Sequence, residues 1–153
     1  MMKVQSFHSG NLLTAGIIFL NNNPLLDEDC FRRMLNMEQK RSERLNKSIM
    51  FMLIDIAELL QCKKVSKTIK KLLNTLYSIT RETDIKGWYD ANRTIGIIYT
   101  EFDDNFIDII LNKLKVSVGE VLTPEHYSII NLSYVVFPQD RIANNKMVKL
   151  NAA

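Results

Sequence analysis

Arg81 to Glu101 reads RETDIKGWYDANRTIGIIYTE, and the fold follows from its pattern. Two apolar, strand-like runs, Ile85 to Tyr89 and Thr94 to Thr100, flank the polar segment Asp90-Ala91-Asn92-Arg93. That is the composition of a β-hairpin closed by a turn of about four residues. Arg81 and Asp84 stand just before the first strand, where a turning backbone can aim a guanidinium and a carboxylate at one ligand edge. Outward from the hairpin, a strand and a helix precede it and a helix and a strand follow. The expected fold is therefore α+β, with a ferredoxin-like β-α-β-β-α-β core.

On the upstream side, Ser48 to Ile56, SIMFMLIDI, is continuously apolar, as a central strand covered on both faces would be. Asp55 interrupts it at the C-terminal end, where a carboxylate must sit at the rim, cap the next turn or hold a metal. From Val65 to Thr80, the residues Val65, Ile69, Leu72, Leu73 and Leu76 form one helical face opposite Lys67, Lys70, Lys71 and Asn74. Further upstream, Asn23-Pro24 through Arg44 reads as an N-terminal helix. Asp27, Glu28 and Asp29 suit its positive end, Phe31, Met34, Leu35 and Glu38 recur at helical steps, and Arg41 and Arg44 complement the dipole.

Downstream, Asp103 and Asp104 start a helix whose buried stripe is Phe106, Ile107, Ile110, Leu111, Leu114 and Val118, with an exit at Gly119. Tyr127 to Phe137 is the last strand, stopped by Pro138. The organisation expected is an arm over 1–23, one domain over 24–139 and a partly ordered tail over 140–153. Within the arm, Leu12 to Leu20 is too short to span a membrane and lacks a signal-peptide cleavage pattern. It reads as an extra strand, or as a contact for a homodimer or protein partner through residues 12–20.

Composition excludes several functions. A chain of 153 residues that is 46% hydrophobic suits a single core. The formal charge of +3 is spread among 17 acidic residues, so nothing points to nucleic acid. Cys30 and Cys62 have no ligand or partner spacing, which suits reduced thiols in a cytoplasmic protein with neither disulfide nor zinc. The glycines are dispersed at 10, 16, 87, 96 and 119, so there is no phosphate loop. His8 and His126 have no Ser or Cys motif to serve, and both read as surface residues.

A helix ending in Arg41-x-x-Arg44, a strand ending in Asp55-Ile56, a helix, Arg81-Glu82-Thr83-Asp84, a hairpin, and Gly96 to Glu101 before another helix and strand together resemble a GGDEF domain. These are the domains of diguanylate cyclases, related in fold to class III nucleotide cyclases, and the resemblance covers roughly Asp27 to Gln139. In that family the hairpin tip carries Gly-Gly-Asp/Glu-Glu-Phe, which approaches the GTP phosphates and holds metal. Here the corresponding tip is Asp90-Ala91-Asn92-Arg93-Thr94. The first-strand pattern Asp-x-Asp-x-Phe-Lys is reduced to Asp55-Ile56-Ala57-Glu58-Leu59-Leu60, with Lys63 or Lys64 near the place of a guanine-reading Asn. Only Asp55 matches a metal ligand.

The resemblance thus implies a degenerate domain of bacterial signalling with no catalytic residues, no metal site and no cofactor. What does match is Arg81-x-x-Asp84, at the family's product-binding offset before the tip. A guanidinium can donate to guanine O6 and N7, and a carboxylate can accept from N1 and N2. The implied function is a cyclic di-GMP receptor using Arg81 and Asp84, with Lys113, Lys115 or Arg44 of a neighbouring chain facing the phosphates. The alternative is a regulatory or structural protein-interaction module that binds no nucleotide. In that case Arg81 and Asp84 form an exposed strand-entry ion pair, worth at most about 1 kcal/mol.

Overall fold

The computed structural model describes residues 17–20, 23–101, 103–138 and 146–149. Its elements begin with strands β1 (Ile17–Leu20) and β2 (Asn23–Leu26), helix α1 (Glu28–Leu45), β3 (Ile49–Asp55), the short helix α2 (Ala57–Leu60) and α3 (Ser66–Ile79). The hairpin β4 (Ile85–Asp90) and β5 (Thr94–Tyr99) follows. A 3-10 turn (Asp104–Phe106), α4 (Ile107–Val121), the short α5 (Pro124–Ser128), β6 (Asn131–Phe137) and β7 (Lys146–Lys149) complete the order. One seven-stranded sheet runs β1-β2-β4-β5-β3-β6-β7. The inner strands β4-β5-β3-β6 are antiparallel throughout and, with α3 and α4, form the expected β-α-β-β-α-β core.

β3 lies mid-sheet because it has no polar face to offer water. Met50, Met52 and Ile54 point to the α3 and α4 side, where they pack with Leu72, Leu76, Leu111, Leu114 and Val118. Ile49 and Phe51 point the other way and pack with Phe31 and Leu35 of α1. Among the described residues the elements thus form three layers, with α1 on one face of the sheet and α3 and α4 on the other. Among the described residues no helix is long and apolar enough to cross a membrane.

Several boundaries differ from the sequence expectation. The last strand, expected from Tyr127, begins at Asn131, because Thr123 caps the short helix α5 and accepts from the His126 amide at 3.2 Å. The first helix starts at Glu28, not at Asn23-Pro24, because Asp27 is its N-cap and accepts from the Cys30 amide at 2.9 Å. Asn23–Leu26 instead forms β2, pairing antiparallel with β1 and touching β4 in parallel at Leu26 and Gly87. The segment expected as a tail contributes β7, which pairs with β6 from Asn131 to Tyr134. Of the apolar arm, Ile17–Leu20 is the strand β1, while residues 12–16 lie outside the described residues. His126, expected on the surface, is half-buried in α5, and its Nδ1 has no hydrogen-bond partner.

A close contact fixes α1 on the hairpin. Gly87 and Gly96 face each other across β4 and β5, and the Phe31 ring lies against both. A Cβ on Gly96 would come within 2.4 Å of that ring, and one on Gly87 within 2.9 Å. Phe31 is itself fully buried, with its ring centroid 5.9 Å from that of Phe51.

Candidate functional site

The hairpin tip is closed by a turn in which the Arg93 amide donates to the Asp90 carbonyl at 3.1 Å. Asn92, at the third position, has φ 58°, a left-handed conformation that asparagine tolerates better than most residues. Two neighbours hold the tip from outside. Glu28, in the first turn of α1, accepts from the Ala91 amide at 2.9 Å, and Arg32 donates to the Tyr89 carbonyl at 3.0 Å while stacking 4.2 Å above the Tyr89 ring. On the sheet side, the Ile56 amide donates to the Arg93 carbonyl at 2.8 Å.

Asp55 is directly opposite Thr94 in the β3–β5 register. Its Oδ1 accepts from the Ala57 amide at 2.9 Å, so the carboxylate caps the turn into α2 at the rim of the sheet. Among the described residues, no group of three or more His, Cys, Asp or Glu side chains converges as metal ligands would.

Arg81 and Asp84 are brought together, but not as an exposed pair. The Asp84 side chain is only 1% exposed, against 53% for Arg81. Its Oδ1 accepts from Arg81 Nη2 at 2.9 Å, and its Oδ2 from Arg81 Nε at 3.3 Å and from the Arg81 backbone amide at 2.9 Å. The same Nη2 also donates to the Thr100 carbonyl. This corrects the expectation of a solvent-exposed ion pair: the carboxylate is the hub of the turn that delivers the chain into β4. The hydrogen bond to Asp84 holds the guanidinium's pKa above its ordinary value.

Arg81, Asp84 and Lys113 line one cleft of about 280 Å3 between the hairpin entry and α4, together with Tyr99, Glu101 and Asp103. Lys113 is thus part of the lining of this cleft. Lys115 is not: two residues further along α4 it is turned about 200° around the helix, half-buried and outside the cleft. Arg44 stands exposed in the last turn of α1 and does not line this cleft in its own chain.

The sequence reading missed Lys86 beside this pair. Lys86 is 8% exposed, and its Nζ donates to the carbonyls of Arg81, at 3.1 Å, and Asp84, at 2.8 Å, with the Tyr77 ring 4.9 Å away. The signal was present, because in a strand Lys86 must share a face with Trp88 two positions on, and Trp88 is core. Burial lowers the Lys86 pKa, and Asp84 partly opposes that shift.

This architecture is the fold of the GGDEF domains of diguanylate cyclases. The GGDEF domain of DgcB from Caulobacter crescentus, solved in complex with c-di-GMP, superposes with a TM-score of 0.62 at 11% identity, covering 88% of this chain and 82% of that one. A DGC protein from Thermotoga maritima gives 0.62 at 17% identity over 76% of this chain and 84% of that one. The GGDEF domain of TpbB (YfiN) from Pseudomonas aeruginosa gives 0.54 at 11% identity, over 75% and 73% respectively. At these identities the likeness is one of fold. No family model matches the chain, and no curated protein matches it.

Proposed function

We propose that this chain is a catalytically inactive signalling domain on the GGDEF fold, one that works by binding and not by turnover. The observation that carries the reading is the hairpin tip. It carries an exposed Arg93, whose backbone carbonyl is bonded to the Ile56 amide next to an Asp55 already engaged in capping Ala57. Phosphoryl transfer to a 3′-hydroxyl needs carboxylates that hold two cations, and a guanidinium in their place repels them. The test is incubation with GTP and magnesium or manganese, followed by chromatography of the nucleotides. No cyclic di-GMP is expected; product formed by the natural chain and lost in Asp55→Ala overturns the reading.

The ligand in this reading is cyclic di-GMP, the molecule with which the DgcB domain was solved. The half-exposed Arg81 guanidinium supports it: Nε and Nη2 hold Asp84 and the Thr100 carbonyl, and Nη1 is left to donate to guanine O6 or N7. Lys113, or Arg44 of a second copy, then faces the phosphates. Glu101 and Asp103 line the same cleft and oppose them, so the affinity expected is micromolar to near-millimolar. In calorimetry Arg81→Ala and Lys113→Ala should each weaken binding by about tenfold, the effect of one good contact.

A second reading, a protein-interaction module that binds no nucleotide, is favoured by one observation. Phe106, expected in the buried stripe of α4, is instead 50% exposed, and with Ile109 and Val116, 59% and 52% exposed, it lies along one side of that helix and the turn before it. Solvent-exposed apolar side chains grouped in this way mark contact surfaces. Absence of any heat with cyclic di-GMP selects this reading over the receptor.

A further inference from the structure

Lys86 occupies a position where the sheet pattern calls for an apolar side chain. It faces α3, opposite Ile97, which is fully buried. An ammonium group in such a place is costly unless each of its donors is used. Two of the three N–H groups are accounted for by the Arg81 and Asp84 carbonyls. Next to it the Tyr77 hydroxyl is also buried and has no hydrogen-bond partner. Both side chains line a cavity of about 590 Å3, which Asn74, Ser78 and Thr80 also line. That is within the size range of small-molecule sites, roughly 300 to 1,000 Å3.

The local charge is unbalanced. Arg81 and Lys86 are two cations, and Asp84 is the one buried carboxylate among the described lining residues, with both its oxygens engaged by Arg81. Glu82 also lines the cavity but is exposed, so water and salt screen it. The interior is left with one positive charge, one spare ammonium N–H and one spare hydroxyl.

We propose that this cavity binds a small organic monocarboxylate. Its carboxylate accepts from Lys86 Nζ and the Tyr77 hydroxyl, and its short carbon chain lies within the cavity beside the Tyr77 side chain. A phosphate would bring a second negative charge, for which the described lining offers no further cation. The site shares only Arg81 and Asp84 with the cleft that holds Lys113, and it does not depend on the nucleotide reading.

The experiment is a titration of the full chain with sodium butyrate. Sodium chloride at matched ionic strength and uncharged butyramide are the controls, and the Lys86 ammonium and Tyr77 ring are followed by NMR. Butyrate is expected to give saturable shifts at both groups and to raise the melting temperature; chloride and butyramide are expected to do neither. Tyr77→Phe, which removes only the oxygen, should leave the free protein at least as stable and weaken butyrate binding about tenfold. Lys86→Met, which keeps the apolar stem, should abolish binding. Absence of saturable shifts with butyrate, equal shifts with chloride, or unchanged binding in Tyr77→Phe overturns the site. Tyr77→Phe folds without a new cavity, so the proposal stays testable even if Lys86→Met does not fold.

Discussion

Replacing Asp84 by alanine should destabilise the fold much more than an ordinary surface ion pair would. The carboxylate is 1% exposed and accepts three hydrogen bonds, all from Arg81. Its loss leaves the Arg81 amide without an acceptor and takes away the charge that favours the buried Lys86 ammonium. Half of the Arg81 side chain is already in water, so the guanidinium recovers most of its solvation and contributes little to the cost. The stranded amide and the weakened Lys86 site together give about 2 to 3 kcal/mol. Arg81→Ala leaves Asp84 with its backbone donor alone and should cost about 2 kcal/mol. The double variant should fall short of the sum by at least about 1 kcal/mol, since both changes break the same contacts. Urea unfolding followed by circular dichroism measures all three. For a chain of this length each kcal/mol corresponds to roughly 2 to 4 °C in melting temperature. Costs below about 0.5 kcal/mol with full additivity, the range of ordinary surface substitutions, would refute the view of Asp84 as a buried hub.

Two further outcomes are expected. Gly96→Ala should destabilise by about 1 to 3 kcal/mol through overpacking, because its Cβ would meet the Phe31 ring at 2.4 Å; Phe31→Leu in the same chain should recover part of the loss in urea unfolding, and no recovery would mean that the backbone and not the ring is the obstacle. Tyr77, Tyr99, Tyr127 and Tyr134 all have pKa values raised by burial above the ordinary 10.0, so the unfolded chain releases these protons first and stability, full below that pH, is lost as pH rises beyond it. Lys86, with its lowered pKa, contributes in the opposite sense just below 10.5, but one group does not outweigh four. Tyrosinate absorbance and circular dichroism should therefore change together above about pH 10, the reference value for tyrosine; tyrosines that ionise normally while the dichroism is intact would contradict this.

The parts of the fold legible in the sequence are those whose signal is local and long. The apolar run of β3, the two strands around Asp90-Ala91-Asn92-Arg93 and the stripes of α3 and α4 each carry their own period. β2 was hidden because it has four residues, includes Pro24 and runs straight into the Asp27 cap, so its acidic neighbours read as helix start. β7 has four residues between segments without a pattern, too few for a period to be recognised. For the site, the three-residue step from Arg81 to Asp84 correctly implied contact. Burial of Asp84 depends on Thr100 and Lys86 arriving from either side of the turn, which spacing within the motif does not encode. The pairing of Gly87 with Gly96 beneath Phe31 joins three distant points of the chain, and each glycine alone reads as an isolated residue in a strand.

That glycine pair also solves a problem of strand pairing. Sliding one hairpin strand by a single residue would exchange its two faces, and the core forbids it. A slide by two residues preserves the faces and would cost little in hydrophobic pattern, since Ile85, Gly87 and Tyr89 share one side of β4 and Gly96 and Ile98 one side of β5. In that shifted arrangement a branched or aromatic side chain would stand where the Phe31 ring now meets bare backbone, and α1 could not seat. The N-terminal helix, which lies outside the β-α-β-β-α-β core, therefore acts as a gauge that accepts one alignment of the hairpin. It thereby supports the register that places Arg93 at the tip and Asp84 at the entrance.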